Sequence, residues 1–462
     1  MPKHGWIKWF VAYMAIAGGN FVVYSTILPV RIAHHVLLSA ILIFWFLHYG
    51  IPRTNLLWPV LAVWVSVILS VFAADDKRMA LEFAWHWFTN GALLLMATDW
   101  FRQQREDDLL RSQFIAGGFI ALSCLLEWLF YGVRPGGVLF NINLSGAYLA
   151  ALVVPLAVWV TRYRNGLQLI QRTALLAAIA LAIILNQSRG ALLSVAVALI
   201  VYFSLHSERG KSIRAFLLFI PVALFAAVVV MSIGHSAGDL VRMNLWDIAY
   251  NLINTRLLGV GPGLFGQAYQ LMGSSEFRFT GAHNLYLTIG AELGATGLAS
   301  GAVMVLTILY GLVGTKRTMQ QDASLAALAG IAAHMMVDNF PSQGFTFLAS
   351  LFVAHLLYEW QPSFLFPRRA AYVGAGLVAV GAMMMLRFDN AQIAYERSLA
   401  TGSYSTALEA VNLDPDNRLY QINLSRAAHY GDLSAAEANY PGLAKSDNLM
   451  MYGLVNYGRV FQ

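Results

Sequence analysis

The feature that most constrains this chain is a series of apolar segments that recurs from the N-terminus to about residue 387. Each segment has the roughly 20 residues that a helix needs to cross the hydrocarbon core of a bilayer. Of all residues, 58% are hydrophobic and only 12% are charged. Soluble domains carry about twice that charged fraction, so the sequence predicts an all-α, polytopic membrane protein.

The apolar runs predict about 12–13 transmembrane helices. The predicted spans are 7–28, 34–50, 56–74, 81–99, 113–132, 145–161, 168–187, 190–206, 214–233, 285–314, 322–340, 344–359 and 370–387. The first run is too long for the core of a signal peptide and lacks a small-residue cleavage site. We therefore interpret it as a retained membrane helix.

Basic residues predict the orientation, because they concentrate in the cytoplasmic loops of membrane proteins. When the N-terminus, with Lys3 and Lys8, is placed in the cytoplasm, every second loop proves to be basic. The cytoplasmic residues are then Arg53, Arg102, Arg105, Arg111, Arg162, Arg164, Arg172, Arg209, Lys211, Arg214, Lys316, Arg317, Arg368 and Arg369. An odd number of helices places the C-terminus in the periplasm of a bacterial inner-membrane protein.

A change of composition divides the chain into a membrane domain, 1–387, and a soluble tail, 388–462, which is polar and acidic. Two similar motifs in the tail, at 402–407 and 431–436, resemble helix-turn-helix repeats of the tetratricopeptide kind. Their spacing is shorter than the usual period of about 34 residues. The sequence predicts a small helical periplasmic tail, in which a repeat organisation is one alternative.

The longest predicted periplasmic loop, about 235–283, is the expected working face. It contains Arg242, Arg256, Arg278 and His283 and is interrupted by glycine and proline. The only cysteine, Cys124, lies in an apolar run, which excludes disulfides and cysteine metal sites. The predicted periplasmic loops hold no Asp-x-Asp pair, so we expect neither a metal nor a cofactor.

The most specific motif begins with His283 and Asn284 at the first turn of a predicted helix. Glycines then follow at spacings of four, three and four, at Gly290, Gly294, Gly297 and Gly301. Small residues at such spacings let another helix or a lipid tail approach closely. These residues alone also fit a packing helix with an incidental histidine at the membrane interface.

Two further segments carry arginines at the same predicted face. Ser188-Arg189-Gly190 begins a helix, where Arg189 either extends to the interface or holds an anion. Arg242 is followed by Trp246 and then by the glycine turn 259–263, which includes Gly261 and Gly263. Backbone amides of that turn either cradle a phosphate or merely reverse the chain. For the segment 141–148, capping of a helix by asparagine is the favoured interpretation.

Polar residues inside the predicted spans first receive a structural interpretation: His86, Glu127, Glu292, His334 and Asp338. Glu292 follows His283 by about two and a half helical turns, so a direct pair is not expected. For Asp338 and Asn339, capping of a helix end is favoured over a role near a donor site.

In this order, over roughly 140–300, the segments resemble the signature of the O-antigen ligase family. That family includes O-antigen polymerases and the bacterial O-oligosaccharyltransferases that glycosylate pilins. The chain differs from many lipid A-core ligases, which resemble twelve-helix proteins, by its soluble tail and an extra final helix. The difference concerns the acceptor rather than the class.

The resemblance implies a membrane glycosyltransferase that moves an undecaprenyl-diphosphate-linked glycan to a periplasmic hydroxyl. His283 is then the general base, and Arg189 and Arg242 bind the diphosphate, with Arg256 and Arg278 as weaker candidates. The implied supporting residues are Asn284, Ser188, Trp246, Gly261, Gly263, Gly294 and Gly297.

Three acceptors fit the resemblance. A protein such as type IV pilin is favoured because of the helical tail, while lipid A-core and another glycan repeat remain alternatives. Outside the class, a transporter of lipid-linked sugar is the competing interpretation. Nucleic acid is not expected as a partner.

Overall fold

The computed structural model describes residues 6–16, 28–103, 106–162, 166–206, 237–271, 281–340, 342–360 and 367–428 of the 462-residue chain. The described helices are α1 (Trp6–Ile16), α2 (Leu28–Tyr49), α3 (Leu57–Ala73), α4 (Lys77–Gln103), α5 (Glu106–Tyr131), α6 (Ile142–Thr161), α7 (Gly166–Asn186) and α8 (Arg189–His206). They continue with α9 (Ala237–Thr255), α10 (Phe265–Leu271), α11 (Leu285–Leu312), α12 (Met319–His334), α13 (Gln343–Leu357), α14 (Arg368–Thr401), α15 (Tyr404–Leu413) and α16 (Arg418–Ala428). These ranges contain no strand, which confirms the all-α fold.

Seven helices of the described ranges are long and apolar enough to cross a membrane. They are α2, the residues 108–131 of α5, α6, α7, α8, α11 and α14. The helices α1, α3 and α13 are apolar but shorter. The fold is therefore that of a polytopic membrane protein, while the predicted span 214–233 lies outside the described residues.

Helix α6 lies at the centre of the bundle, where it packs against α7, α8 and α12. Asn141 caps its N-terminus, because the side-chain oxygen accepts a hydrogen bond from Leu144 N at 2.9 Å. This confirms the capping role expected for the 141–148 segment. Helix α12 packs closely on α8, since a Cβ added to Gly330 would lie 2.5 Å from the carbonyl oxygen of Ser194.

The last apolar helix continues beyond the predicted span and carries polar residues into the bundle. The predicted boundary between residues 387 and 388 lies inside α14, which ends at Thr401. The carboxylate of Asp389 is buried and lies 2.6 Å from Arg31 Nε and 2.8 Å from His35 Nδ1, both on α2. Paired in this way, buried charges keep hydrogen-bond partners that lipid does not provide.

The tail begins as a helical hairpin that packs on the end of α14. Tyr395, Ala410 and Tyr420 form a small apolar cluster between α14, α15 and α16. Asp414, at the turn between α15 and α16, accepts from Arg78 Nε at 2.7 Å and so joins the hairpin to the start of α4. The second tail motif, at 431–436, lies outside the described residues.

Candidate functional site

A histidine and a buried carboxylate form the centre of the site. His283 Nδ1 and Asp338 Oδ1 are 2.9 Å apart, and the Asp338 side chain is only 5% exposed. The His283 side chain is 32% exposed, so part of its ring remains accessible. Donation of the Nδ1 proton to Asp338 leaves Nε2 with a lone pair, which is the form in which a histidine accepts a proton.

The segment around His283 is fixed by hydrogen bonds to the end of α12. Asn284 caps α11 through its side-chain oxygen and donates its amide Nδ2 to Met336 O at 2.9 Å. The backbone N–H of Leu285 donates to Met335 O at 2.9 Å. His283 itself has a φ of +48°, a left-handed conformation that is uncommon for a residue other than glycine. The surrounding bonds therefore hold a backbone geometry that the residue would not choose alone.

Asp338 is oriented as firmly as its partner. Its Oδ1 also accepts from the backbone N–H of Asn339 at 2.8 Å. Asn339 in turn reaches Thr288 on the first turns of α11, with 3.4 Å between the side-chain nitrogen and Oγ1. The structural interpretation favoured for Asp338 is therefore incomplete, because the carboxylate is buried and contacts the histidine of the motif.

The Ser188-Arg189-Gly190 segment forms the tight connection between α7 and α8. Ser188 Oγ lies 3.1 Å from Asn143 Oδ1 at the start of α6. The fully buried Asn186 donates its side-chain amide to Pro135 O and Ile142 O, at 2.9 Å and 2.7 Å. These bonds fix the backbone from which Arg189 begins α8.

His334 joins this connection to the histidine and carboxylate. Its buried ring packs on Gly190, since a Cβ added there would lie 2.3 Å from Nε2. The backbone carbonyl of His334 accepts from Asp338 N at 3.1 Å, so the two residues share one turn. Arg242, on α9, lies within electrostatic range of the His334 ring. The structure thus brings His283, Arg189 and Arg242 to one end of the bundle.

The glycine turn that follows α9 passes through a break in α11. Gly294 has φ +66° and ψ −159°, which interrupts the helix nine residues after it begins. The turn fills the break, because Gly261 N donates to Glu292 O at 3.0 Å and Ala295 N donates to Leu257 O at 2.9 Å. A Cβ on Gly294 would lie 2.1 Å from Leu257 O. Only glycine fits such a conformation and such a close approach of two backbones.

The Glu292 side chain is hydrogen-bonded to the backbone of this turn. Its Oε2 accepts from Gly263 N at 2.9 Å, and the side chain is buried. Gly263 has a φ of +75° and packs against the ring of Phe83. The carboxylate fills the position that a phosphate would take in a cradle of amides. Chain reversal, one of the two alternatives, therefore fits the turn, and Glu292 has a partner other than His283, as expected.

The glycines of α11 differ in what they pack against. Gly290 packs on Ile253 of α9, while Gly297 contacts residues of its own helix. Among the described residues, no atom outside the adjoining helix backbone lies within 4 Å of a Cβ added to Gly301. The break at Gly294 separates these positions, because the helical period does not continue through it.

Arg256, one of the two weaker candidates, lies elsewhere. Arg256 Nη2 is 3.5 Å from Asp75 Oδ2 in an exposed ion pair, with side chains 50% and 72% exposed. Trp246 packs against the apolar cluster that α9 shares with α10 and the glycine turn. Arg278 lies outside the described residues. Of the four predicted diphosphate ligands, Arg189 and Arg242 are thus the two that the described site includes.

A comparison with protein families gives one match. Residues 173–302 match the model of a family described as O-antigen ligase. The range extends from α7 to α11 and takes in Arg189, Arg242 and His283. No curated protein matches the chain significantly.

Proposed function

We propose, from the O-antigen ligase family domain that residues 173–302 carry and from the geometry around His283, that this chain is an inner-membrane glycan transferase. It transfers a glycan from undecaprenyl diphosphate to an acceptor hydroxyl on the periplasmic side, and it does so without a metal or a cofactor. The observation that carries the proposal is the 2.9 Å contact between His283 and the buried Asp338. Asp338 lies one turn after His334, which packs on Gly190 beside Arg189.

His283 acts as the general base in this proposal. The acceptor oxygen attacks C1 of the first sugar, and its proton passes to His283 Nε2 as the new C–O bond forms. Asp338 keeps the Nδ1 proton in place and stabilises the imidazolium that results. An imidazole is suited to this step because it exchanges a proton near neutral pH.

Arginines stabilise the leaving group. The bond between C1 and the diphosphate oxygen breaks, so that negative charge develops on the departing undecaprenyl diphosphate. Guanidinium groups bind such oxygens bidentately and remain charged. We assign this role to Arg189 and Arg242, because Arg189 precedes the glycine on which His334 packs and Arg242 lies within electrostatic range of the His334 ring. The donor is already activated, so no nucleotide enters the reaction.

For the acceptor, we propose a protein hydroxyl, such as that of a type IV pilin. The support is the helical hairpin α15–α16, which is joined to the membrane bundle by Asp414 and Arg78. Stacked helical hairpins form surfaces that bind peptides. Transfer to lipid A-core or to another glycan repeat would use the same chemistry and would differ only in the acceptor that is bound.

The proposal is tested with purified protein and a fluorescent undecaprenyl-diphosphate glycan, to which pilin, lipid A-core and free glycan are offered separately. We expect product on pilin with the wild-type protein and none with His283→Ala. Product on lipid A-core or on glycan alone would retain the transferase and replace the acceptor. Movement of the intact donor across vesicles, unchanged in His283→Ala and without any product, would indicate a transporter instead.

A further inference from the structure

His334 is a buried histidine to which the proposed reaction assigns no role. It is the last residue of α12 and is 1% exposed. Neither of its ring nitrogens finds a hydrogen-bond partner among the described residues. Phe340 covers another side of the ring, with centroids 5.3 Å apart in an edge-to-face arrangement.

Packing alone does not explain an imidazole at position 334. A buried polar atom without a partner costs folding free energy, and an apolar side chain of similar size avoids that cost. Its neighbours at this point are Gly190 and Phe340, which offer it backbone carbon and an aromatic ring. Residues that lower stability in this way are characteristic of functional sites.

His334 touches both halves of the site. On one side its ring rests on Gly190, the residue that follows Arg189. On the other side its carbonyl accepts from Asp338 N at 3.1 Å, in the turn that delivers the carboxylate to His283. One helical turn earlier, Gly330 makes the same kind of close contact with Ser194 of α8. The contact of α8 with α12 therefore sets how far Arg189 lies from Asp338.

We infer that His334 is a positioning residue for glycan transfer, which spaces Arg189 from the His283–Asp338 pair and places a polar ring at the turn that carries Asp338. The inference rests on the proposed function. It also explains why the Ser188-Arg189-Gly190 segment requires glycine at 190, because any Cβ there would meet the imidazole.

The test compares His334→Leu with His334→Gln in the full-length protein. Leucine removes the two ring nitrogens, which find no partner among the described residues, and preserves apolar volume, so we expect a higher midpoint of thermal unfolding. We expect its kcat to fall about 10- to 100-fold, since small misplacements of reacting groups have effects of this size, while donor KM changes less than about threefold. Glutamine retains a polar N–H and is expected to recover part of kcat.

Gly190→Ala supplies an independent test of the contact. The single variant is expected to lose about 100-fold in kcat, because the added methyl displaces the ring and with it the spacing of the site. Combining it with His334→Ala removes the obstruction, so the double variant is expected to be more active than Gly190→Ala alone. Additive losses in the double variant would show that the two positions do not act through each other.

Wild-type kcat in a folded His334→Leu protein would overturn the inference, because a purely structural histidine predicts that result. His283→Ala separates this failure from failure of the proposed function. If His283→Ala is inactive while His334→Leu is fully active, only the positioning role is lost. If His283→Ala transfers glycan normally, the proposed function itself is wrong.

Discussion

Asp338→Asn isolates the charge of the carboxylate beside His283. Asn339 N lies 2.8 Å from Asp338 Oδ1 and would hold an asparagine oxygen in the same position. The hydrogen bond from His283 Nδ1, now 2.9 Å long, is therefore expected to persist with a neutral acceptor. The variant thus removes the negative charge while retaining the geometry.

The expected loss follows from the two kinds of hydrogen bond. A bond to a charged group contributes about 1.5–3 kcal/mol and a neutral one about 0.5–1.5 kcal/mol, a difference of about 1–2 kcal/mol. At 1.36 kcal/mol for each factor of ten, kcat should fall about 5- to 30-fold. Asp338→Ala should cost more, because it leaves the Nδ1 proton without an acceptor and no longer fixes the tautomer.

The assay is single-turnover transfer from a fluorescent donor at saturating acceptor. Asp322→Asn is the matched control, because Asp322 lies on the first turn of α12, the helix that precedes Asp338, and pairs with Arg317 at 2.7 Å. That variant should keep the wild-type rate constant. Equal rate constants for Asp338→Asn and the wild-type protein would refute the role of the carboxylate.

Three other variants test the surrounding structure. Gly294→Ala should destabilise the fold, by about 1–3 kcal/mol for the left-handed backbone alone, with a further cost from the 2.1 Å approach to Leu257 O. Its control is Gly301→Ala, whose added methyl meets no described atom within 4 Å outside the adjoining helix backbone. Equal unfolding midpoints of the two variants would contradict the helix break. Arg256→Gln should change donor KM less than about threefold, because exposed ion pairs contribute about 0–1 kcal/mol. Arg189→Gln should raise donor KM more. A larger rise in Arg256→Gln than in Arg189→Gln would reassign the diphosphate site. Arg78→Met leaves the buried carboxylate of Asp414 without its cation, at a cost of about 3 kcal/mol. Limited proteolysis should therefore release the tail faster. An unchanged rate of release would show that the ion pair does not hold the hairpin.

The sequence predicts the polytopic all-α fold and the position of individual membrane helices, because their signal is local. The predicted span 190–206 and the helix Arg189–His206 differ by one residue, and Asn141 caps α6 as expected. Apolar length and capping residues act within a few turns, so a single segment contains the information.

The sequence motifs single out His283, Arg189 and Arg242 as candidate site residues, but they do not reveal that His283 pairs with Asp338. Asp338 follows His283 by 55 positions, and the distance between them depends on how the end of α12 packs on the start of α11. His334 carries no motif, and its role depends on contact with Gly190 of another helix. The Asp-Asn pair at 338–339 beside an otherwise apolar span was the one available signal.

The break in α11 is a second feature that the sequence alone does not predict. Gly294 lies in a long apolar run, where glycine usually indicates close packing of helices. Its positive φ arises because the turn at 257–263 enters the helix and takes over the hydrogen bonds of residues 291, 292 and 295. Only the tertiary partner distinguishes this glycine from Gly290, which remains helical and packs on Ile253.

The most direct measurement of the central claim follows donor binding and glycan transfer side by side in wild-type and His283→Gln protein. Binding of the undecaprenyl-diphosphate glycan should remain within about threefold, because the arginines rather than the histidine hold the diphosphate. Transfer should fall by about 10²–10⁴-fold, the usual contribution of a general base. Transfer at the wild-type rate by a folded His283→Gln protein would contradict the account.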